Sequence, residues 1–456
     1  MPIERLRVPP PLMRRRLPSG RGATTQPNVT GDGDARLTGK FWVLVVLTGV
    51  ATGLFGVLMM LILFSVQHLA FGTPLSGEGT LSSVEAASGW HRLLPVLIGG
   101  VVAGPAWFLL RKFTPGAKSE VDDVLWTGVG RLSFRRSLGT SVISEVVIGL
   151  GASLGREAAP KLMGAVSGNV LAEWARLTPA QRRLLVACGG GAGLAAVYNV
   201  PLGGALFTAE ILVGAINLPT MLPAVVCSAV ATSTAWIFLP QHPTYVDIPQ
   251  YAFALRLLVW ALVAGVVIGL ASAGYVRLIG HVSHLQATGR RALIAPLIAF
   301  AILGLLALAY PQLYGNGKGM AHDAFLGSGT LTLLLALAVL KPAVTLLCLG
   351  SGASGGLFTP VMSTGAVAGG FLGLAWNHLW PGSPVGAYAI IGAAAMIGAS
   401  MQAPLAAVTL ILELTHSGFA LMVPILIATA LATAVTRWID GYSIYTARLA
   451  PEPLSG

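Results

Sequence analysis

From Phe41 onward the chain is a succession of long apolar runs divided by short polar joints. The runs fall near 41–68, 91–111, 139–154, 183–198, 201–216, 218–239, 252–278, 291–310, 329–349, 356–380, 385–400, 403–415 and 418–436. A helix needs about 20 apolar residues to cross the hydrocarbon of a bilayer. Several of these runs are long enough; others are shorter, or are cut by Gly and Pro. A short or interrupted segment in lipid must be shielded by protein, because freed backbone groups cannot face hydrocarbon. Broken helices of that kind are a transporter pattern. The joints are basic (Arg111-Lys112, Arg131 to Arg136, Arg182-Arg183, Arg290-Arg291), and Trp42, Trp90, Trp236, Trp380 and Trp438 stand near run ends, as interfacial belts require. The pattern predicts an all-α polytopic membrane protein.

Composition agrees. Of 456 residues 55% are hydrophobic and 10% charged, with mean hydropathy +0.77. A soluble chain carries about 25% charged residues. Roughly half of the +11 formal charge sits in residues 1–40, where Arg5, Arg7, Arg14, Arg15, Arg16, Arg21, Arg36 and Lys40 outnumber three acids. Such a tail is read either as a nucleic-acid arm or as a cytoplasmic flank under the positive-inside rule. The second reading is preferred, with no nucleic-acid partner and a disordered basic tail on the cytoplasmic side of a cell (inner) membrane. The tail has no apolar core of the signal-peptide kind. Cys188, Cys227 and Cys348 lie in apolar runs, and no CxxC or His/Cys cluster exists. Neither a metal, a cofactor nor a disulfide framework is expected.

Comparing the chain with itself divides it in two. Gly189 to Glu210 and Gly392 to Glu413 match at an offset of 203 residues: Gly189/Gly392, Ala192/Ala395, Ala196/Ala399, Pro201/Pro404, Leu202/Leu405 and Glu210/Glu413. Gly155 to Pro160 aligns with Gly355 to Pro360 at offset 200, and Gly-Ala-Val-x-Gly follows in both, at 164–168 and 365–369. Two blocks recurring in the same order imply two structural repeats, about 41–240 and 250–449, between the basic tail 1–40 and a short tail 450–456. The matches alone leave parallel and inverted repeats equally open.

Gly149 to Pro160 (GLGASLGREAAP) and Gly350 to Pro360 (GSGASGGLFTP) are Gly-rich stretches at which a helix starts. A helix N-terminus presents unpaired N–H groups and partial positive charge, which suits an anion. Two such starts, one per repeat, converging near the midplane would make an anion site; the alternative is two packing contacts. Neither stretch carries the carboxylates a cation site needs.

At these residues the chain resembles the CLC family of chloride channels and chloride/proton exchangers. Gly155-Arg156-Glu157 resembles the family's Gly-Arg-Glu-Gly-Pro motif, and Gly356-Leu357-Phe358-Thr359-Pro360 its Gly-x-Phe-x-Pro motif. Tyr445 stands where the family has its central pore tyrosine, and Ala192 to Glu210 resembles the pattern around Asn-x-Pro-Leu. The resemblance covers about 41–449. It implies a CLC-type fold of two inverted repeats with broken, tilted helices, and a homodimer with one anion pathway per subunit. It implies chloride as substrate, with Glu157 as gate: ionised, the carboxylate occupies an anion position; protonated, it leaves and chloride enters. Gly155, Arg156, Gly356, Leu357, Phe358, Tyr445 and Gly116 are the anion-binding residues it implies, Tyr445 through its hydroxyl.

Three departures matter. Ala158-Ala159-Pro160 replaces the motif's Gly-Pro. The family's Gly-Ser-Gly-Ile-Pro loop corresponds to Pro115-Gly116-Ala117-Lys118-Ser119-Glu120-Val121-Asp122, where the hydroxyl facing the central anion is lost or displaced; nitrate and fluoride therefore stand beside chloride. Exchangers of the family carry an inner proton-transfer glutamate one residue after a first glutamate. Here Glu210 is followed by Ile211, which holds no proton. Either the protein is channel-like, or water or Glu210 supplies another proton route; Glu210 reads equally as a helix-packing carboxylate, and Glu413 as structural. Glu145 and Lys341 read as buried pairs or interfacial snorkellers. The competing readings are a cation-coupled permease of another inverted-repeat fold, for which the acids are too few, and an intramembrane enzyme, for which no nucleophile–base pair is visible.

Overall fold

The computed structural model describes residues 37–115, 121, 125 and 132–449. Expectations for residues 1–36 and 450–456, and for most of the loop 115–122, including Gly116, lie outside the described residues. In chain order the helices of the first half are α1 (Gly39–Phe71), α2 (Thr80–Ala86), α3 (Gly89–Phe113), α4 (Phe134–Gly149), α5 (Ala158–Trp174), α6 (Pro179–Tyr198), α7 (Pro201–Leu206) and α8 (Leu218–Ala235). Those of the second half are α9 (Leu255–His284), α10 (Arg291–Ala309), α11 (Lys318–Phe325), α12 (Leu331–Gly350), α13 (Phe358–Asn377), α14 (Val385–Met401), α15 (Pro404–Thr415) and α16 (Met422–Ile439). Among the described residues eight helices are long and apolar enough to cross a membrane, while α14 and α15 are shorter apolar helices. The chain is a multi-pass membrane protein.

The small residues that match between the halves are the ones that let helices touch. Gly164 of α5 faces the carbonyl of Gly189 on α6 so closely that a Cβ on either residue would overlap the other's backbone. Gly365 of α13 and Gly392 of α14 make the same crossing in the second half. Gly168 and Gly369 repeat it one turn on, against Leu185 and Tyr388. In lipid, where apolar area adds no net drive to helix association, such close backbone approach is a main source of attraction. α6 and α14 then end alike, on left-handed residues Asn199 (φ 58°) and Gln402 (φ 57°), and each is followed within two residues by the Pro that opens the next helix. A left-handed C-cap before a new Pro start is a sharp break that keeps the backbone bonded.

The break is sealed by the matched glutamates. The carboxylate of Glu413 accepts from the amides of Leu202 (3.0 Å) and Gly203 (2.6 Å), at the start of α7. Glu210 accepts from Leu405 (3.3 Å) and Ala406 (2.6 Å), at the start of α15. Each half thus caps the other half's helix with acid at the positive end of the helix dipole. A second reciprocal contact lies between the Gly-rich stretches: Gly155 and Gly356 exchange backbone hydrogen bonds, 2.7 Å each way, as an isolated antiparallel bridge. Two reciprocal, antiparallel contacts between matched segments are what a two-fold relation produces. The repeats are inverted, and their helices are broken where the matched Pro and Gly stand.

Lys341 and Glu145 correct the expectation of paired or snorkelling side chains. Lys341 is fully buried on α12, and its Nζ donates to Ser153 Oγ (2.8 Å) and to the carbonyls of Gly315 (2.7 Å) and Leu313 (3.3 Å). Glu145 is fully buried on α4, and among the described residues neither of its oxygens has a hydrogen-bond partner.

The crossings give a test. Gly164→Leu and Gly392→Leu each force two backbones apart, and overpacking of even ordinary side chains costs about 1–3 kcal/mol. Both variants are expected to lose most of the monodisperse peak on size-exclusion chromatography in detergent. Gly274→Leu, at a position on α9 with open space around it, is expected to keep it.

Candidate anion site at the joined helix starts

The Gly155–Gly356 bridge holds the N-termini of α5 and α13 against each other. Glu157 is the residue at which α5 begins, and its side chain turns to α13 rather than capping its own helix. Oε1 accepts from the amide of Phe358 at 2.8 Å, the first residue of α13. Oε2 accepts from Thr359 Oγ1 at 3.0 Å and from Tyr198 Oη at 3.1 Å, and those two hydroxyls lie 2.6 Å apart. Glu157 is buried, only 5% exposed. Its negative charge meets the positive end of α13 and three hydrogen-bond donors. The seat exists because the flanking residues are glycine: a Cβ at Gly155 or at Gly356 would overlap Glu157 Oε1.

This geometry refines the expected donor set. The amides of Gly155 and Gly356 are taken up by each other, so neither is offered to an anion in this arrangement; their part is to leave room. The amide that meets a negative oxygen is that of Phe358. Arg156 forms no ion pair with Glu157 among the described residues. Its guanidinium carbon lies 5.0 Å from the Tyr198 ring centroid and 5.9 Å from that of Phe64, and among the described residues its buried Nε has no partner.

Two cavities lie nearby, one against the seat and one reached past Arg156. One, of about 60 Å³, is lined by Glu157, Leu357, Phe358, Lys161, Phe207 and Tyr445, among others. Tyr445, 8% exposed, packs edge-on against Phe207 (centroids 6.1 Å), and Lys161 Nζ lies 4.8 Å from the Tyr445 ring centroid. Phe207 begins a π-helical turn, Phe207–Val213, continuing α7. Turns of that kind gather at functional sites, and this one carries Glu210 and Ile211. The other cavity, of about 400 Å³, is lined by Arg156, Lys318, His322, Glu78, Glu85 and Asp323, among others. Glu78 is paired with His242 (2.9 Å). Lys318, half-buried at the first residue of α11, is pushed down to about 8 by burial first and by the Arg156 charge second, with Glu78 opposing.

The structure therefore brings Glu157, Gly356, Leu357, Phe358 and Tyr445 around the smaller cavity, with Gly155 bonded to Gly356 beside it; Arg156 lines the larger cavity instead, and Glu210 is held on the start of α15. Sequence reasoning missed Tyr198, Thr359 and Lys161. Thr359 sits inside the Gly-x-Phe-x-Pro block and Lys161 directly after Pro160, a lone charge entering an apolar run; both were readable as polar intruders. Tyr198, nearly fully buried, carried no such signal.

A membrane protein with two inverted repeats of broken helices, whose halves meet at a carboxylate seated on a helix start, belongs to the secondary-transporter and channel class. The chain belongs to the voltage gated chloride channel family, whose pattern it matches over residues 99–437. It is 30% identical over 390 residues to the voltage-gated ClC-type chloride channel ClcB of Citrobacter koseri, covering 80% of this chain and 89% of that one. It is 29% identical over 378 residues to the H(+)/Cl(−) exchange transporter ClcA of Yersinia pestis, covering 78% and 77%. Its fold matches the crystal structure of a slow cyanobacterial Cl−/H+ antiporter with a TM-score of 0.78 at 22% identity, covering 90% of this chain and 97% of that one. A CLC-type fluoride/proton antiporter matches with a TM-score of 0.72 at 21% identity, again over 90% and 97%.

The seat is testable as geometry. Gly356→Ala is expected to lower thermal stability in detergent by about 1–3 kcal/mol, because the added methyl displaces the carboxylate. In a Glu157→Ala background the same change is expected to cost less than half as much, the coupling that a double-mutant cycle reads between touching groups.

Proposed function

We propose that this chain moves chloride, or a closely related small anion, across the membrane, and that Glu157 is the gate. The observation that carries the reading is the seat itself: a helix-start amide and two hydroxyls converge on a negative oxygen pair that belongs to the protein. Donors of this kind serve a free anion equally well once the side chain leaves. The relatives' names, a chloride channel and a H(+)/Cl(−) exchange transporter, support chloride; a fluoride/proton antiporter of the same fold keeps fluoride beside it. In this reading Leu357 and Phe358 supply amides, Tyr445 faces the anion from the smaller cavity, and Lys161 adds positive charge there, where the loop at 115–122 departs from the family pattern. Arg156 and Lys318 draw anions into the larger cavity.

Glu210 fits a clasp role better than a proton route, because both its oxygens are held by α15 amides and Glu413 mirrors it. The basic residues 1–40 favour a cytoplasmic N-terminus in a cell (inner) membrane. Gly72, at the end of the first span, and the larger cavity beside it then face the outside. The inverted-repeat architecture is read as one anion pathway per subunit of a homodimer. The protein is a transporter rather than an enzyme.

Reconstituted in liposomes loaded with chloride, the protein is expected to release chloride when a potassium ionophore removes the counter-charge. Absence of anion release would sink the reading. Glu157→Ala is expected to keep anion release while any accompanying proton uptake falls at least tenfold; unchanged proton uptake in that variant would remove Glu157 from the gate.

The larger cavity adds a pH dependence. Lys318 is charged below about 8 and neutral above it, so the cavity loses one of its cations as outside pH rises through that value. Anion entry from that side is expected to fall several-fold between pH 7 and 9, measured as initial uptake at fixed gradient. Lys318→Met is expected to be slower at pH 7 and to show no such step.

A further inference from the structure

The inward face of α4 is polar. Ser137, Thr140, Ser141, Ser144 and Glu145 fall at spacings of three and four residues, which is one face of a helix, and all five are buried, from 0 to 7% exposed. A helix packed inside a membrane protein ordinarily turns small apolar residues inward, and ionisable ones there are costly and functional by default. Two of the hydroxyls are engaged: Ser144 Oγ donates to the carbonyl of Ser354 (2.8 Å) and Ser141 Oγ to that of Ala159 (3.4 Å). Ser137 Oγ, Thr140 Oγ1 and both oxygens of Glu145 are buried with no partner among the described residues. Orphaned buried polar atoms are rare and call for ordered water, an ion or a chemical role. Here four of them stand in one row. The row starts at the end of α4 that follows the basic loop, and it ends at a carboxyl whose charged neighbours are Arg156 and Glu157. From Ser137 to Glu145 the helix rises about 12 Å. Midway, Thr140, Ser141 and Ser144 line the same small cavity as Glu157.

We propose that this face of α4 is a proton route to the gate and that Glu145 is its carboxyl group. The proposal rests on the transport reading above. An O–H bond of the Glu145 carboxyl breaks and an O–H bond forms on the Glu157 carboxylate, the proton passing through intervening water. The negative charge moves from Glu157 to Glu145, beside the Arg156 guanidinium, and no electrons are exchanged. Protonated Glu157 no longer presents a charge to the α13 amide and leaves its seat to the anion. Glu145 takes up its next proton from the inner solution along Ser144, Ser141, Thr140 and Ser137, whose hydroxyls both donate and accept. The row supplies on α4 what Ile211 cannot supply on the π-helical turn.

The test is simultaneous recording of chloride release and proton uptake by liposomes holding the full-length protein. Glu145→Gln keeps the shape and removes the exchangeable acid. It is expected to lower proton uptake at least tenfold while chloride release stays within about twofold; Glu145→Asp is expected to restore part of the proton uptake. Ser137→Ala, away from the cavity, is expected to slow proton uptake several-fold with chloride release unchanged, and decides the matter if the Glu145 variants do not fold. Proton uptake as in the wild type in Glu145→Gln or, where that variant does not fold, in Ser137→Ala overturns the proposal. So does a wild-type protein that releases chloride with no proton uptake. A wild type that releases no chloride overturns the transport reading, and this proposal falls with it.

Discussion

A helix that stops inside a bilayer leaves about four N–H groups without partners, and hydrocarbon supplies none. Much of this architecture follows from how those groups are satisfied. At α7 and α15 they are bonded by glutamates from the opposite repeat, Glu413 and Glu210. At α13 the first amide is bonded by Glu157. The chemistry is the same in the three places, a carboxylate at the positive end of a helix. The difference lies in what surrounds it. Glu210 and Glu413 fill their helix starts with both oxygens on backbone amides, which leaves nothing to exchange. Glu157 shares its seat with two hydroxyls and a cavity, so in the proposed reading the protein's own carboxylate and a diffusing anion compete for one set of donors.

The competition has a steric condition. Gly155 and Gly356 bond each other, which fixes the two repeats at the centre, and both lack the Cβ that would close the seat. A single substitution there acts on the joint between the repeats and on the Glu157 seat together. The crossings Gly164–Gly189 and Gly365–Gly392 are separate from it: they set how closely α5 approaches α6 and α13 approaches α14, and so how rigidly each helix start is presented. In the proposed reading rigidity matters because an amide aimed at an anion works only if it need not reorganise when the carboxylate departs.

The repeats, the spans and the two helix starts were legible in the sequence because each leaves a local mark: apolar runs of membrane length, Gly where backbones touch, Pro where a helix starts, and a Glu nine residues after that Pro. The last mark has its meaning only in three dimensions, since Glu210 serves Leu405 and Ala406 while the like-placed Glu413 serves Leu202 and Gly203. The donor set was less legible. Gly155 and Gly356 belong to the site by what they leave out, and Tyr198 reaches Glu157 from 41 residues away with nothing local to announce it. A buried tyrosine in an apolar helix looks like core until the partner of its hydroxyl is known. Lys341 and Glu145 were misread for a related reason: an isolated charge in an apolar run suggests a partner of opposite sign, and tertiary structure gave Lys341 a hydroxyl and two carbonyls instead, and Glu145 none.

Charge balance around Arg156 ties these pieces together. The guanidinium is buried against the faces of Tyr198 and Phe64, where a cation gains less from water and more from any nearby negative charge. Its charged neighbours on the protein side are Glu157 and Glu145, and on the cavity side Lys318. An anion entering the large cavity, an ionised Glu157 and an ionised Glu145 are all stabilised by this one cation. In the proposed reading, when Glu157 takes a proton the region loses a negative charge, and Arg156 then favours whichever negative charge arrives next. A chloride from the cavity and a carboxylate left on Glu145 both meet that demand. Arg156 has no ion-pair partner among the described residues, so in the proposed reading its charge is left unbalanced once Glu157 takes a proton, and the departure of the protonated carboxyl and the entry of an anion are then favoured together.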